Sequence, residues 1–238
     1  MNRLSSSRHG PAGSGEDMTD LSPASKKPEV LEITAPKRRR LARGESRDEV
    51  IRQGTALLTE HGFLATGIDE VLKRAGVPKG SFYHYFKSKQ DFGEAVLDNY
   101  LEFLGKKLDR TVGDETLAPL ERLQAFVEEA KRGLSKYDFR RGCLVGNLGQ
   151  ELGGIDDMFR TRLEAAFRSW EARFADCLEE AVRLGQLAQD ADAGRLARFF
   201  WIGWEGAILR SKLMRSAEPL DHFADMYFDV VLPRRRIV

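Results

Sequence analysis

Cys143, Asn147 and Gln150 stand at i, i+4 and i+7, so a helix through 140–151 would align a thiol and two amides on one face. Arg140 and Arg141 precede the cysteine, and the predicted helix N-terminus lies beside it; both conditions lower a thiol pKa and favour the nucleophilic thiolate. A second stripe, Trp201, Glu205, Ile208 and Lys212 with Trp204 alongside, runs down a later helical segment. A Glu or Lys among apolar neighbours is costly to bury unless paired. Glu205 and Lys212 are therefore candidates for ligand contact, for a mutual ion pair, or for a salt bridge across a subunit face, and Lys212 would suit a small carboxylate. The plain alternative for Cys143 is a small buried hydrophobe, the commoner fate of a free cysteine. Cys177, on the stripe Phe167, Trp170, Phe174 and Leu178, reads as core.

A different chemistry is legible in residues 66–92, TGIDEVLKRAGVPKGSFYHYFKSKQDF. Two short helical patterns are joined by a turn at Ala75, Gly76 and Val77, the spacing of a helix-turn-helix, which lays its second helix in a major groove. Phe82 and Phe86 lie one turn apart and can pack inward, leaving Lys79, Gly80, Ser81, Tyr83 and His84 outward. Gly80 would allow close backbone approach, Ser81 and Tyr83 supply hydroxyls, and Lys79 and Lys89 supply charge that displaces counterions from phosphates. The plain reading for Phe82, Tyr85 and Phe86 is an aromatic mini-core.

The elements that position these residues are all helical. Ser46 with Glu49 has a capping-box pattern and opens a helix over 46–61 that Gly62 ends; Thr66 can cap a second over about 67–74. Pro78 suits the first turn of a third, to Tyr85. Ser88 with Asp91 opens a fourth to about Leu108, running from the reading head onward as a lever. Further patterns cover 117–135, 140–152, 157–184, 192–214 and 219–231, with Gly113, Gly153, Gly154, Gly185 and Pro219 between them. No strand pattern competes, so the fold class is all-α. Residues 1–36, rich in Ser, Pro and Gly, and the basic run KRRRLAR at 37–43 form an expected disordered, basic-ended tail over 1–43; the helix-turn-helix domain then takes 44–90 and a second domain 91–238.

The chain's 238 residues carry 42% hydrophobic and 32% charged residues and a net charge of +1, a globular balance without the broad basic excess of a nonspecific nucleic-acid coat. Apolar runs are too short for a membrane span and the N-terminus lacks a secretory h-region, so a cytoplasmic protein is expected. Two cysteines make no disulfide framework. His9, His61, His84 and His222 lack metal-ligand spacing, and neither metal nor cofactor is expected. There is no P-loop, no G-x-S-x-G elbow and no H-E-x-x-H, which leaves Cys143 as the one basis for an enzyme and favours a non-enzyme.

GVPKGSFYHYFKSKQDF, residues 76–92, resembles the N-terminal signature of the TetR family of transcriptional regulators. RRGCLVGNLGQE (140–151) and FWIGWEGAILRSKL (200–213) are similar to segments of acrylate-responsive repressors in that family and, more loosely, of electrophile-sensing ones. The resemblance spans 46–231. It implies an N-terminal helix-turn-helix domain, a C-terminal helical ligand-binding and dimerisation domain, double-stranded operator DNA and a small effector as partners, and release of DNA by movement of the fourth helix. It implies phosphate contacts from Thr66 and Tyr83, base-edge contacts from Lys79 and Ser81, and His84, Tyr85 and Lys89 completing the footprint. It further implies a reactive Cys143 that Lys212 can engage, with acrylate or another unsaturated electrophile, or an oxidant, as the trigger. Dimerisation would use 192–214 and 219–231, where Gly203, Gly206 and Ala207 permit close approach and Phe199, Ile208, Phe223, Tyr227 and Phe228 supply apolar area, though these could equally form intrachain core. A symmetric pair predicts an inverted-repeat operator with half-sites one helical turn, or a multiple, apart.

Overall fold

The computed structural model describes residues 43–234, with side chains from Ser46 onward; the expected tail and its basic run lie outside the described residues except for Arg43, which opens a helix. The chain is all-α. Its elements are α1 (Arg43–His61), α2 (Ile68–Ala75), a 3-10 turn (Lys79–Ser81) leading into α3 (Phe82–Tyr85), α4 (Lys89–Thr111), α5 (Pro119–Ser135), α6 (Leu144–Leu152), α7 (Asp157–Arg183), α8 (Ala193–Met214) and α9 (Glu218–Asp225), which continues as a π-helical turn (Met226–Val231). Among the described residues there is no strand, only an isolated bridge between Leu187 and Arg234.

Several helix ends follow the sequence closely. Gly62 closes α1 at φ 89° and Gly76 closes α2 at φ 67°, conformations that a side chain would disfavour. The Ser88 hydroxyl accepts from the Asp91 N–H at 3.1 Å, capping α4 as its sequence predicts. Others differ. α1 begins at Arg43, so Ser46 is inside the helix, and Glu49 binds Arg52 (2.8 and 2.6 Å) and Gln53 (2.9 Å) instead of closing a capping box. The N-cap of α2 is Gly67, and Thr66 turns its hydroxyl back onto the Gly62 carbonyl at 2.6 Å. α6 begins only at Leu144: Asp138 and Phe139 both take left-handed φ, the Gly142 N–H is drawn to the Thr59 carbonyl at 2.9 Å, and residues 140–143 lie outside the helix, with Cys143 in an extended conformation as its N-cap.

Two packing centres position the functional residues. Phe82, Phe86 and Phe92 pack with centroids 5.3–5.8 Å apart, Phe92 edge-on to both and Phe82 tilted against Phe86; Arg47 covers Phe86, and Gly54 leaves the space that the Phe92 ring fills. The mini-core expected for Phe82 and Phe86 is present, and it clamps the short α3 between α1 and α4. Farther along the chain, Phe126, Phe174, Phe200, Trp201, Trp204 and Tyr227 are all buried and form a second aromatic core between α5, α7, α8 and the C-terminal turn. Cys177 is buried there, donating to the Pro119 carbonyl at 3.2 Å, and burial pushes its thiol up to about 11. Arg162 pairs with Glu94 and Asp98, and Arg173 with Asp109, so α4 is tied to α7 along most of its length.

Candidate nucleic-acid interface and buried thiol site

The aromatic clamp leaves one side of the α3 turn bare. Lys79, Gly80, Tyr83 and His84 are exposed, Ser81 is half-exposed, and the Tyr83 ring is 73% accessible, an unusual state for a large aromatic. Lys79 pairs with Asp69 across the turn, but both partners are well exposed, and such a pair is worth at most ~1 kcal/mol, little enough for a phosphate to replace it. A β-carbon on Gly80 would meet nothing within 4 Å; the fold does not require the glycine, whereas a close approach from outside would.

Three residues predicted to share this face are placed elsewhere or only partly on it. Thr66 is 1% exposed, with its hydroxyl spent on Gly62, so it does not present a phosphate ligand. Tyr85 is half-buried against the core beside Phe86. Lys89 is half-buried with its ammonium over the Phe63 ring at 4.8 Å and 3.4 Å from the Leu64 carbonyl, and burial holds its pKa below the usual lysine range. It serves the α1–α2 junction first. Lys73 and Lys87, which the sequence reading passes over, are exposed near the same turn.

The seven residues of the thiol site separate into four environments. Cys143 meets Glu205, and Glu205 in turn shares a groove with Trp201, one turn earlier on α8. Cys143 is the N-cap residue of α6 and is buried, with the Tyr100 hydroxyl of α4 and the Glu205 carboxyl of α8 facing its sulfur. Burial first, and then the Glu205 charge, hold the thiol well above its ordinary pKa, with only partial offset from the Gly146 amide and Tyr100. The low-pKa thiolate expected from Arg140 and Arg141 is therefore not formed: Arg140 points to solvent, and the Arg141 guanidinium lies 3.6 Å from the centre of the Tyr137 ring. Glu205 is itself raised to about 7 by desolvation. Its Oε1 and the Trp201 Nε1 are buried without a hydrogen-bond partner. Both residues line a groove of about 700 Å³ between α7 and α8, with Phe167 and Ile202 beside them and Glu164, Arg168, Glu171 and Arg198 at its rim.

Asn147 and Lys212 form a second environment, at the end of α1. The Asn147 amide donates to the carbonyls of Leu58 (3.1 Å) and Thr59 (3.0 Å), and Lys212 donates to those of Thr59 (3.3 Å) and Glu60 (2.8 Å). Glu151 accepts from the N–H groups of Phe63 (2.6 Å) and Leu64 (2.9 Å) just beyond. Donors thus meet the last carbonyls of α1, where a helix has orphan acceptors and its negative end, and an acceptor meets the amides that follow. The mutual Glu205–Lys212 ion pair is not formed. Gln150 is exposed, and Trp204 is sealed in the aromatic core against Phe200 and Phe223, away from the groove. Tyr100, Gly146 and Glu151 are the members that sequence reasoning missed. Tyr100 reads as one more apolar position of α4, and Glu151 as one more surface carboxylate.

On the last two helices the apolar residues divide between core and surface. Ala207, Ile208, Tyr227 and Phe228 are buried within the chain, and Phe223 fills the space over Gly203. Phe199, Ile202, Leu209 and Leu213 remain exposed along one stripe of α8, with open space over Gly206 in its middle.

Comparison with known proteins gives a consistent picture. Residues 50–96 match the family model described as bacterial regulatory proteins, tetR family, and residues 119–227 match that of the tetracyclin repressor-like C-terminal domain. The transcriptional regulator AcuR of Cereibacter sphaeroides is 49% identical over 174 residues, 73% of this chain and 80% of that protein. The HTH-type transcriptional repressor DhaR of Mycobacterium sp. strain GP1 is 35% identical over 193 residues, 81% of this chain and 96% of that protein. The crystal structure of the reduced form of E. coli NemR superimposes with a TM-score of 0.71 at 27% identity, covering 82% of this chain and 100% of that one.

Proposed function

Because the chain belongs to the TetR family of helix-turn-helix transcriptional regulators, we infer that it is a homodimeric repressor, held on an inverted-repeat operator by the Lys79–His84 face and released when a small effector enters the α7–α8 groove. The observation that carries the DNA reading is the exposed Tyr83, Lys79 and open Gly80 on a turn whose other side is a sealed aromatic clamp. Such a surface offers hydroxyl, charge and backbone to a groove of duplex DNA. One short helix reaches few base pairs, and useful specificity exceeds nonspecific binding by ~10³–10⁷. A second copy supplies the remaining contacts, and the bare stripe of α8 through Phe199, Ile202, Gly206, Leu209 and Leu213 is its docking face. Domain limits at 44–90 and 91–238 fit this division of labour, with α4 crossing from one to the other. A regulator of this kind works where its DNA is, in the cytoplasm, and no helix among the described residues is long and apolar enough to cross a membrane.

For the effector, acrylate or another small unsaturated acid or electrophile suits the groove: Trp201 Nε1 and Glu205 Oε1 are unpartnered polar atoms that a bound carbonyl or carboxyl group would satisfy. In this reading the site reacts once per molecule, as a sensor does. Coupling runs through the end of α1. α6 and α8 both border Cys143 and Glu205, and both hold the terminal carbonyls of α1 through Asn147 and Lys212. An effector that shifts either helix alters the tilt of the reading head, and a coupling of about 1–3 kcal/mol changes affinity ~5–150-fold. The test is fluorescence anisotropy on the DNA upstream of the gene with and without acrylate. Tight binding that acrylate relieves supports the proposal; binding that no small unsaturated acid or electrophile relieves removes the effector half of it.

A further inference from the structure

Glu205 is built into contact with the Cys143 sulfur. Gly146 sits one helical turn after Cys143, and any β-carbon on it would overlap Glu205 Oε2, so the glycine is the gap through which the carboxyl reaches the thiol. We propose that Glu205 accepts the Cys143 proton as this sulfur adds to an electron-poor alkene, while the Trp201 Nε1–H holds the conjugated carbonyl oxygen. The inference rests on the reading of the α7–α8 groove as the effector site and assigns the chemistry done there.

The surrounding groups leave Glu205 as the acceptor. Lys212 is engaged with the Thr59 and Glu60 carbonyls, and the Tyr100 hydroxyl donates toward the sulfur, so neither is poised to take its proton. A buried thiol held protonated is a weak nucleophile, since the thiolate is the attacking species. Transfer of the proton during attack removes that barrier. Trp201 is only 3% exposed and its indole N–H has no partner among the described residues, while it lines the groove beside Glu205. An indole nitrogen donates only; the group it awaits is an acceptor such as a carbonyl oxygen. At the rim, Arg168 pairs with Glu164 at 2.9 Å and Arg198 lies 3.8 Å from Glu171, so the entrance is charge-balanced and admits neutral as well as singly charged molecules.

In the step itself the S–C bond forms at the alkene carbon β to the carbonyl. The π pair moves to the α-carbon and carbonyl oxygen, where Trp201 stabilises the enolate. The S–H bond breaks as its proton passes to the Glu205 carboxylate and then to the α-carbon, leaving a thioether and a restored carboxylate. No oxidant and no leaving group is involved. The groups facing Glu205 are Tyr100 from α4, Cys143 from α6, Glu164, Arg168 and Glu171 from α7, and Arg198 from its own helix. Burial sets its carboxyl at about 7, so the carboxylate that accepts the proton becomes populated through neutral pH and is a stronger base than an exposed one.

The test is intact-mass kinetics of the full-length protein with N-ethylmaleimide from pH 5.5 to 9, for wild type, Glu205→Gln, Trp201→Phe and Cys143→Ser, with methyl methanethiosulfonate as a carbonyl-free thiol reagent. Wild type is expected to label at Cys143 with a rate that rises through an inflection near 7. Glu205→Gln is expected to lose that inflection and to react roughly 10²–10⁴-fold more slowly, the range of positioned proton transfer. Trp201→Phe is expected to slow the maleimide and not the thiosulfonate. Equal rates and the same inflection in wild type and Glu205→Gln would overturn the inference while leaving the groove as an effector site. Absence of Cys143 labelling in wild type would overturn it too, and if acrylate then still released DNA, the effector reading would stand in a non-covalent form.

Discussion

Replacing Glu205 by Gln removes one buried ionisable group and changes little in shape, so it isolates the effect of burying that carboxyl on stability. The group stands at 4.5 when solvated and at about 7 in the folded chain. Between those two values the folded state retains a proton that the unfolded state has lost, so unfolding releases a proton and wild-type stability declines as pH rises, levelling off above 7. The shift corresponds to roughly 3 kcal/mol at 1.36 kcal/mol per pKa unit, lost by wild type and not by the variant. For a chain of this size ~1 kcal/mol moves the melting temperature by about 2–4 °C, so Glu205→Gln gains ~6–12 °C on wild type between pH 4.5 and pH 8. Thermal and urea melts of both proteins at pH 4.5, 5.5, 6.5, 7.5 and 8.5 measure this, at one fixed protomer concentration because association contributes to apparent stability. Parallel curves, with a pH-independent difference between the proteins, would refute the placement of a desolvated carboxyl beside Cys143.

Gly80→Ala tests whether that glycine serves the fold or an approaching groove. With open space around it, the alanine should keep or raise stability by up to ~1 kcal/mol while weakening operator binding; unfolding or unchanged affinity would contradict this. Leu209→Glu, at a position 54% exposed and outside the α7–α8 groove, should leave the helical circular dichroism intact and yield monomers in sedimentation analysis. Asn147→Ala deletes two hydrogen bonds to α1 and should cost about 1–3 kcal/mol, and it should also reduce the effector's influence on DNA affinity. Loss of stability with an undiminished effector response would place the coupling elsewhere.

The helical architecture and the reading head were legible because their signals are local. Ser88 caps α4, Gly62 and Gly76 end their helices, and the spacing of Phe82 and Phe86 creates a bare opposite face at Lys79 and Tyr83. Thr66 misleads for a local reason as well: a threonine hydroxyl near a helix start can cap forward or bond backward, and here the Gly62 carbonyl wins. The thiol site is less legible because its partners come from four helices. Glu205 and Lys212 share a stripe of α8, but seven residues of helix separate them by about 10 Å. One therefore meets the start of α6 and the other the end of α1. Nor does the charge beside Cys143 in sequence govern its proton. Arg141 turns onto Tyr137 and the carboxyl that matters arrives from residue 205, a relation that no spacing rule within 140–151 contains.

The central claim, that two copies of the face around Lys79 and Tyr83 grip one operator, is tested most directly by the salt dependence of binding to the gene's own upstream DNA, for wild type and Lys79→Ala. Two chains per site are expected, with a slope of log affinity against log salt that is shallower by about 2 in the variant, one phosphate contact of ~0.9 being lost per subunit. An unchanged slope, or no binding by wild type at low salt, would contradict the account.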